Sequence, residues 1–277
     1  MVRGEDVNSK DARNRTALMW AVVKGHNQIV QHLLEQNGIH VNCRNTVDGS
    51  TALVLAAFHG NLTAVQLLLA FWQVDVNCGN NDGQTPLHLA ALGGHAEVTK
   101  LLLADNRVKV NCRDCLGFTP LHYPVIEGNA GVVKLFLSEQ RVEVNWSDKK
   151  GCTPLHYAVM KGHTKVVELL LGNVKVDVNS KDECDFTPLH FAAAKDHYAI
   201  VRILLDDPCL NSVNDVNDDG DTPLMTALLN NSIKSLCELV SHPTVDLDTT
   251  DDSGRSLEEV ARQTHFLLQT RLHLVDL

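Results

Sequence analysis

No apolar run in the sequence approaches the roughly 20 residues that a membrane-spanning helix needs. The opening stretch Met1-Val-Arg-Gly-Glu-Asp6 has no signal-peptide core. Membrane insertion and secretion are therefore not expected; the expected setting is the cytoplasm, with the nucleus as the alternative. Catalytic motifs are missing as well. There is no phosphate-binding glycine loop, no Gly-x-Ser-x-Gly elbow, no His-Glu-x-x-His helix and no paired-carboxylate motif, so neither a catalytic centre nor a cofactor is expected. Positive charge is scarce: 24 Lys and Arg against 34 Asp and Glu give a net charge of −10, which argues against a general nucleic-acid binder.

The charge that exists is uneven. Eleven acidic residues and one lysine, Lys234, fall between Asp206 and Gly254, whereas Lys149, Lys150, Lys161, Lys165, Lys175, Lys181 and Lys195 cluster upstream. A solvated surface that keeps the chain soluble is the plain reading; steering of an acidic partner is the other. The eight cysteines include one CxxC, Cys112-Arg-Asp-Cys115, but no second pair at zinc-site spacing. No metal site is expected.

What the sequence does have is a period. Thr-Pro-Leu-His stands at 85–88, 119–122, 153–156 and 187–190, and degenerate copies begin at Thr16, Thr51, Thr222 and Ser256. The spacing is 34 or 35 residues throughout, which marks a repeat protein. Threonine before proline reads as an N-cap with proline at the first helical position, where no N–H is needed. A breaker such as Gly94-His95, Gly128-Asn129 or Gly162-His163 follows about ten residues later, then a second apolar helix. Beyond it come Val76-Asn77, Val110-Asn111, Val144-Asn145 and Val178-Asn179, then turn pairs Asp48-Gly49, Asp82-Gly83, Lys150-Gly151 and Asp219-Gly220 suited to a tight hairpin. Each unit is thus a finger plus two antiparallel helices. Cys43, Cys78 and Cys112 are equivalent positions in successive units, and units stacked roughly 8–10 Å apart lie beyond the roughly 7 Å that a disulfide spans. Free thiols and a reducing compartment follow.

This pattern resembles the ankyrin repeat, whose signature is Asp-Gly-x-Thr-Pro-Leu-His-x-Ala-Ala-x-x-Gly-His, and the resemblance covers nearly the whole chain. It implies an all-α solenoid with short β-hairpin fingers. About seven repeats start near 8, 42, 77, 111, 145, 179 and 214, and a C-terminal capping unit at 248–277 opens on the capping box Ser256-Leu-Glu-Glu259. The expectation is a single domain over 1–277. Two departures stand out. Arg107-Val-Lys-Val-Asn111, Arg141-Val-Glu-Val-Asn145 and Lys175-Val-Asp-Val-Asn179 lack the link glycine, predicting a more extended connection, and Pro124 sits five residues after its cap, predicting a kink. Repeat 2 also carries one extra finger residue near Thr46-Val-Asp48.

His88, His122, His156 and His190, at the third helical position, and His26, His95 and His163, after the turn glycine, are explained by structural roles. The resemblance implies a non-catalytic protein-interaction module, a monomeric scaffold, adaptor or inhibitor that binds another protein in a concave groove. By position its contacts map to Val23, Lys24, Phe58, His59, Leu92, Ile126, Glu127, Met160, Lys161, Ala194, Lys195 and Leu229, and to the finger residues Arg113, Leu116, Phe118, Lys149, Lys150 and Phe186. Phe58, Leu92, Ile126 and Met160 form an expected ladder of exposed apolar side chains; inter-repeat packing is the plainer account of it. A regulatory or substrate-recruiting subunit of an enzyme complex, such as a ubiquitin ligase or phosphatase, is the alternative, weakened by the lack of a recruiting box after the cap. In ankyrin proteins asparagines eight residues after a leucine, here Asn42, Asn77, Asn111, Asn145 and Asn179, can be substrates of an asparaginyl hydroxylase; hydrogen bonding that fixes the finger explains them without modification.

Overall fold

The structure, a computed structural model, describes residues 6–251 and 253–262. It divides into two compact units, Met1–Glu143 and Val144–Leu277. The first contains α1 (Ala17–Val23), α2 (Asn27–Leu34), α3 (Ala52–Phe58), α4 (Leu62–Ala70), α5 (Pro86–Leu92), α6 (Ala96–Ala104), α7 (His122–Ile126) and α8 (Ala130–Ser138). The second contains α9 (Pro154–Met160), α10 (Thr164–Leu171), α11 (Pro188–Ala194), α12 (Tyr198–Leu205), α13 (Pro223–Leu229) and α14 (Ile233–Ser241), and residues 257–262 are helical too. Odd-numbered helices other than α7 start at the threonines of the motif, and even-numbered ones follow the turn. Within each unit odd helices pack on odd and even on even, so two helical layers share one core.

The core follows from residue size. Alanines of the first helices (Ala56, Ala57, Ala90, Ala91, Ala192, Ala193) are wholly buried and let these helices approach closely, while Leu68, Leu102, Phe136, Leu170 and Leu204 fill the space from the second helices. Each fully buried leucine contributes about 1.5–3 kcal/mol over an exposed one.

Four threonine–histidine pairs fix the helix starts. The backbone N–H of Thr85, Thr119, Thr153 and Thr187 donates to Nδ1 of His88, His122, His156 and His190 at 3.0–3.1 Å. On the far side of the ring, Nε2–H of His88, His156 and His190 donates to the carbonyls of Phe118, Phe186 and Asp221 in the next finger. The imidazoles therefore sit as neutral tautomers bridging one repeat to the next. Burial holds His88 and His156 below the usual histidine range and His190 down to about 4.

The fingers are hydrogen-bonded turns rather than paired strands; among the described residues only the isolated bridges Lys10–Thr16 and Thr250–Ser256 have β character. In finger 4, Asp114 N–H donates to Phe118 O at 3.0 Å, Gly117 N–H to Asp114 O at 3.0 Å, and Asp114 Oδ1 accepts from the N–H groups of Leu116 and Phe118. The side chain does the work of a second strand. At Gly151 both conformation and space demand glycine: φ is +77° and an added Cβ would lie 2.7 Å from the backbone nitrogen of Glu183. Where the finger glycine is missing, Asn14 and Asp185 adopt the same left-handed conformation at φ 57° and 58°.

Pro124 leaves its mark as a shortened helix. α7 has five residues where its counterparts have seven, residues 120–121 form a turn, and His122 N–H bonds Thr119 O in a tight i−3 bond. Proline offers no N–H to the Pro120 carbonyl. The link residues Asp105 and Glu139 leave α6 and α8 in the expected extended conformation (ψ 115° and 117°), but Gly172 closes α10 in a helical one (ψ −8°). The capping box closes as read, with Ser256 N–H to Glu259 Oε2 at 2.9 Å and Glu259 N–H to Ser256 Oγ at 3.4 Å. Position 252 and residues 263–277 of the expected cap lie outside the described residues.

Candidate functional site

Successive fingers are joined by single backbone bonds. In the first unit Thr46 N–H donates to Arg13 O, Asn81 N–H to Asp48 O and Cys115 N–H to Asp82 O; in the second, Glu183 N–H donates to Lys150 O and Asp218 N–H to Cys184 O, all at 2.8–3.1 Å. The asparagine before each finger adds a second tie. Nδ2 of Asn42, Asn77, Asn111, Asn145 and Asn179 donates to the carbonyls of Gln73, Arg107, Arg141, Lys175 and Cys209, while Oδ1 accepts from the N–H of residues 75, 109, 143, 177 and 211. Both ends of the amide are occupied, which gives these five asparagines a structural role.

Side chains carried on this frame differ in how far they reach solvent. In the first unit Lys24, His59, Arg113 and Glu127 are exposed, Phe58 is 49% exposed and Leu116 54%, whereas Val23, Leu92, Phe118 and Ile126 are half-buried. In the second, Lys149, Lys150, Lys161 and Lys195 are exposed and Leu229 is 42% exposed, with Met160, Phe186 and Ala194 half-buried. The expected ladder of exposed apolar residues is thus uneven: Phe58 is open, while Leu92, Ile126 and Met160 are partly covered.

Two finger aromatics are committed to packing. Phe118 stacks on His122 at 5.2 Å and meets Tyr123 edge-on at 5.8 Å; Phe186 lies 5.6 Å from His190 and 5.3 Å from Phe191. Their backbones hold the histidines of the preceding repeat, so their side chains serve the fold first. Phe58 meets His59 edge-on at 5.2 Å, and its carbonyl accepts from His95 Nε2 at 3.0 Å. Trp20, 38% exposed, and Val47, 61% exposed, were not predicted from the sequence as contact residues. The signal was there: Trp20 sits four after its cap, where other repeats place Leu, Tyr, Phe or Thr, and Val47 lies in the lengthened finger.

Two of the thiols are held in the neutral form. Burial, with the charges of Asp148 and Asp182 beside it, pushes the Cys152 thiol up to about 12, and burial also raises Cys112 of the CxxC, so neither is an activated thiolate. None of the eight cysteines forms a disulfide, and among the described residues no group of three or more His, Cys, Asp or Glu could hold a metal ion. No described helix is long and apolar enough to cross a membrane.

A family profile described as "Ankyrin repeats (3 copies)" matches residues 1–77, 70–148, 109–182 and 174–251. The chain belongs to the ankyrin-repeat family. The helical pairs, the caps and the finger turns above are this family's all-α fold, one built for protein–protein interaction. Among curated proteins, the BTB/POZ domain-containing protein 1 of Schizosaccharomyces pombe is 42% identical over 64 residues, covering 23% of this ankyrin-repeat chain and 5% of that protein.

Proposed function

We propose that this chain is a non-catalytic protein-interaction module, a scaffold, adaptor or inhibitor that takes a partner protein on the surface made by its finger tips and the C-terminal ends of its first helices. The observation that carries the reading is the division of labour among side chains. The motif residues are consumed by the frame, with the histidines, threonines and finger asparagines paired internally. Large apolar groups with no comparable structural duty, Phe58 and Leu116, stand open beside polar neighbours, His59 and Arg113. Exposed apolar residues on a rigid support are what a recognition surface needs.

The test is quantitative capture by the immobilised chain and by a Phe58→Ser/Leu116→Ser variant. The reading predicts one recovered set of proteins whose yield falls at least several-fold for the variant, while its melting temperature is unchanged. Equal yields from both proteins would refute it. In the second unit, Lys149→Glu with Lys150→Glu should slow association with that partner and flatten its salt dependence.

A further inference from the structure

The second finger is one residue longer than the third, and it borders a cleft. Its closing bond runs from Asn45 N–H to Ser50 O, one residue further than Asn80 N–H to Gln84 O in finger 3. Asn45 Oδ1 accepts from the N–H groups of Val47, Asp48 and Gly49 at 2.9–3.2 Å, so the extra residue is held, not loose. Val47 and Trp20 of α1 line one cleft of about 190 Å³, with the more buried Met19, Val23 and Leu55 and the more polar Arg13, Arg15 and Asp48 as its other walls.

The tryptophan is fixed before anything arrives. Its Nε1–H donates to Asp11 Oδ2 at 3.3 Å, the Arg15 guanidinium carbon lies 4.0 Å from its ring centre, and Arg15 is tied to the same carboxylate at 2.8 Å. A tryptophan and an arginine held in place are the residue types on which interface energy concentrates, and holding them in advance removes the ordering cost. The volume is below the roughly 300–1,000 Å³ of sites for cofactors and other small molecules, and fits one large apolar side chain.

The charge around the cleft selects what lies next to that side chain. Arg15 is spent on Asp11, and Asp48 accepts from Ser50 N–H and Oγ–H at 3.1 and 2.7 Å. Arg13 stands exposed at the edge, and Lys24, also exposed, has its ammonium 5.9 Å from the Trp20 ring. In a chain of net charge −10, Arg13 and Lys24 set against the Asp48 carboxylate leave this edge with a net positive charge. We propose that the cleft seats one leucine- or phenylalanine-sized side chain of a partner peptide with an aspartate or glutamate directly beside it. This rests on the reading of the chain as a protein-binding module and names the peptide chemistry that one part of its surface takes.

Random twelve-residue peptides displayed on phage and selected on the full chain provide the test, with Val47→Ser and Arg13→Glu as counter-selections. Both sites are exposed, so neither variant should disturb folding. The proposal predicts an enriched class with an apolar–acidic pair that Val47→Ser weakens about tenfold. Arg13→Glu should reject that class and recover binding when the peptide's acid is exchanged for lysine. Peptides that bind regardless of both variants but are lost with Phe58→Ser/Leu116→Ser would overturn the cleft while leaving the module reading intact; no enrichment, or self-association of the chain that Val47→Ser abolishes, would overturn it outright.

Discussion

The hydroxyl of Tyr123 donates to Asp114 Oδ2 at 2.6 Å and accepts from Gln84 Nε2, also at 2.6 Å, so an α7 side chain locks its own finger to the one before it. Burial, with the Asp114 carboxylate beside it, raises the phenol above its usual range. Tyr157 repeats the bond to Asp148 at 2.7 Å, and Trp20 repeats it to Asp11 with an indole N–H. Tyr123→Phe should cost roughly 1–3 kcal/mol in urea unfolding, because a buried carboxylate oxygen loses its donor. Tyr157→Phe, at a half-buried site, should cost less. An equal or inverted ranking would show that the rings, not the hydroxyls, carry the contact.

The buried histidines set an acid limit. Unfolded, an imidazole takes a proton near 6.5; folded, His190 takes none until about 4, and His88 and His156 are shifted the same way. Between those values the unfolded chain binds more protons, so stability falls as pH drops from 6.5 towards 4 and is level above 7. For His190 alone the loss is on the order of 3 kcal/mol. Urea midpoints measured from pH 8 to 4.5 check this, and a flat profile would contradict it. Carboxylates held low by arginine, such as Asp105 and Glu139, add their loss only at more acid pH.

Much of the frame is legible in the sequence because each motif residue answers a local need: a cap, a left-handed turn, a proline without a donor. What was not legible depends on partners 30 to 40 residues away. Arg107 reaches back to the carbonyl of Leu69, and Arg141 to that of Leu103, each steadied by its own carboxylate, Asp105 or Glu139. These arginines cap the ends of α4 and α6, a role that has no local signature. The candidate surface was read by position alone. Position does not tell that Leu92 and Ile126 tuck in while Phe58 stays out, since that turns on the neighbouring repeat's side chains.

Pro124→Ala should lengthen α7 to match its seven-residue counterparts and stabilise the protein by about 1–3 kcal/mol. Hydrogen exchange over 119–128, expected to be fast in the parent, should slow. Pro124 is buried, so a lowered midpoint would mean its ring contacts outweigh the lost hydrogen bond.

Hydrogen-exchange footprinting of the chain with its captured partner tests the binding surface most directly. The account predicts new protection in the fingers and at the ends of the first helices, around 23–24, 45–48, 58–59 and 113–118, with the second helices, among them 27–34 and 62–70, unchanged. Protection confined to those second helices would contradict it.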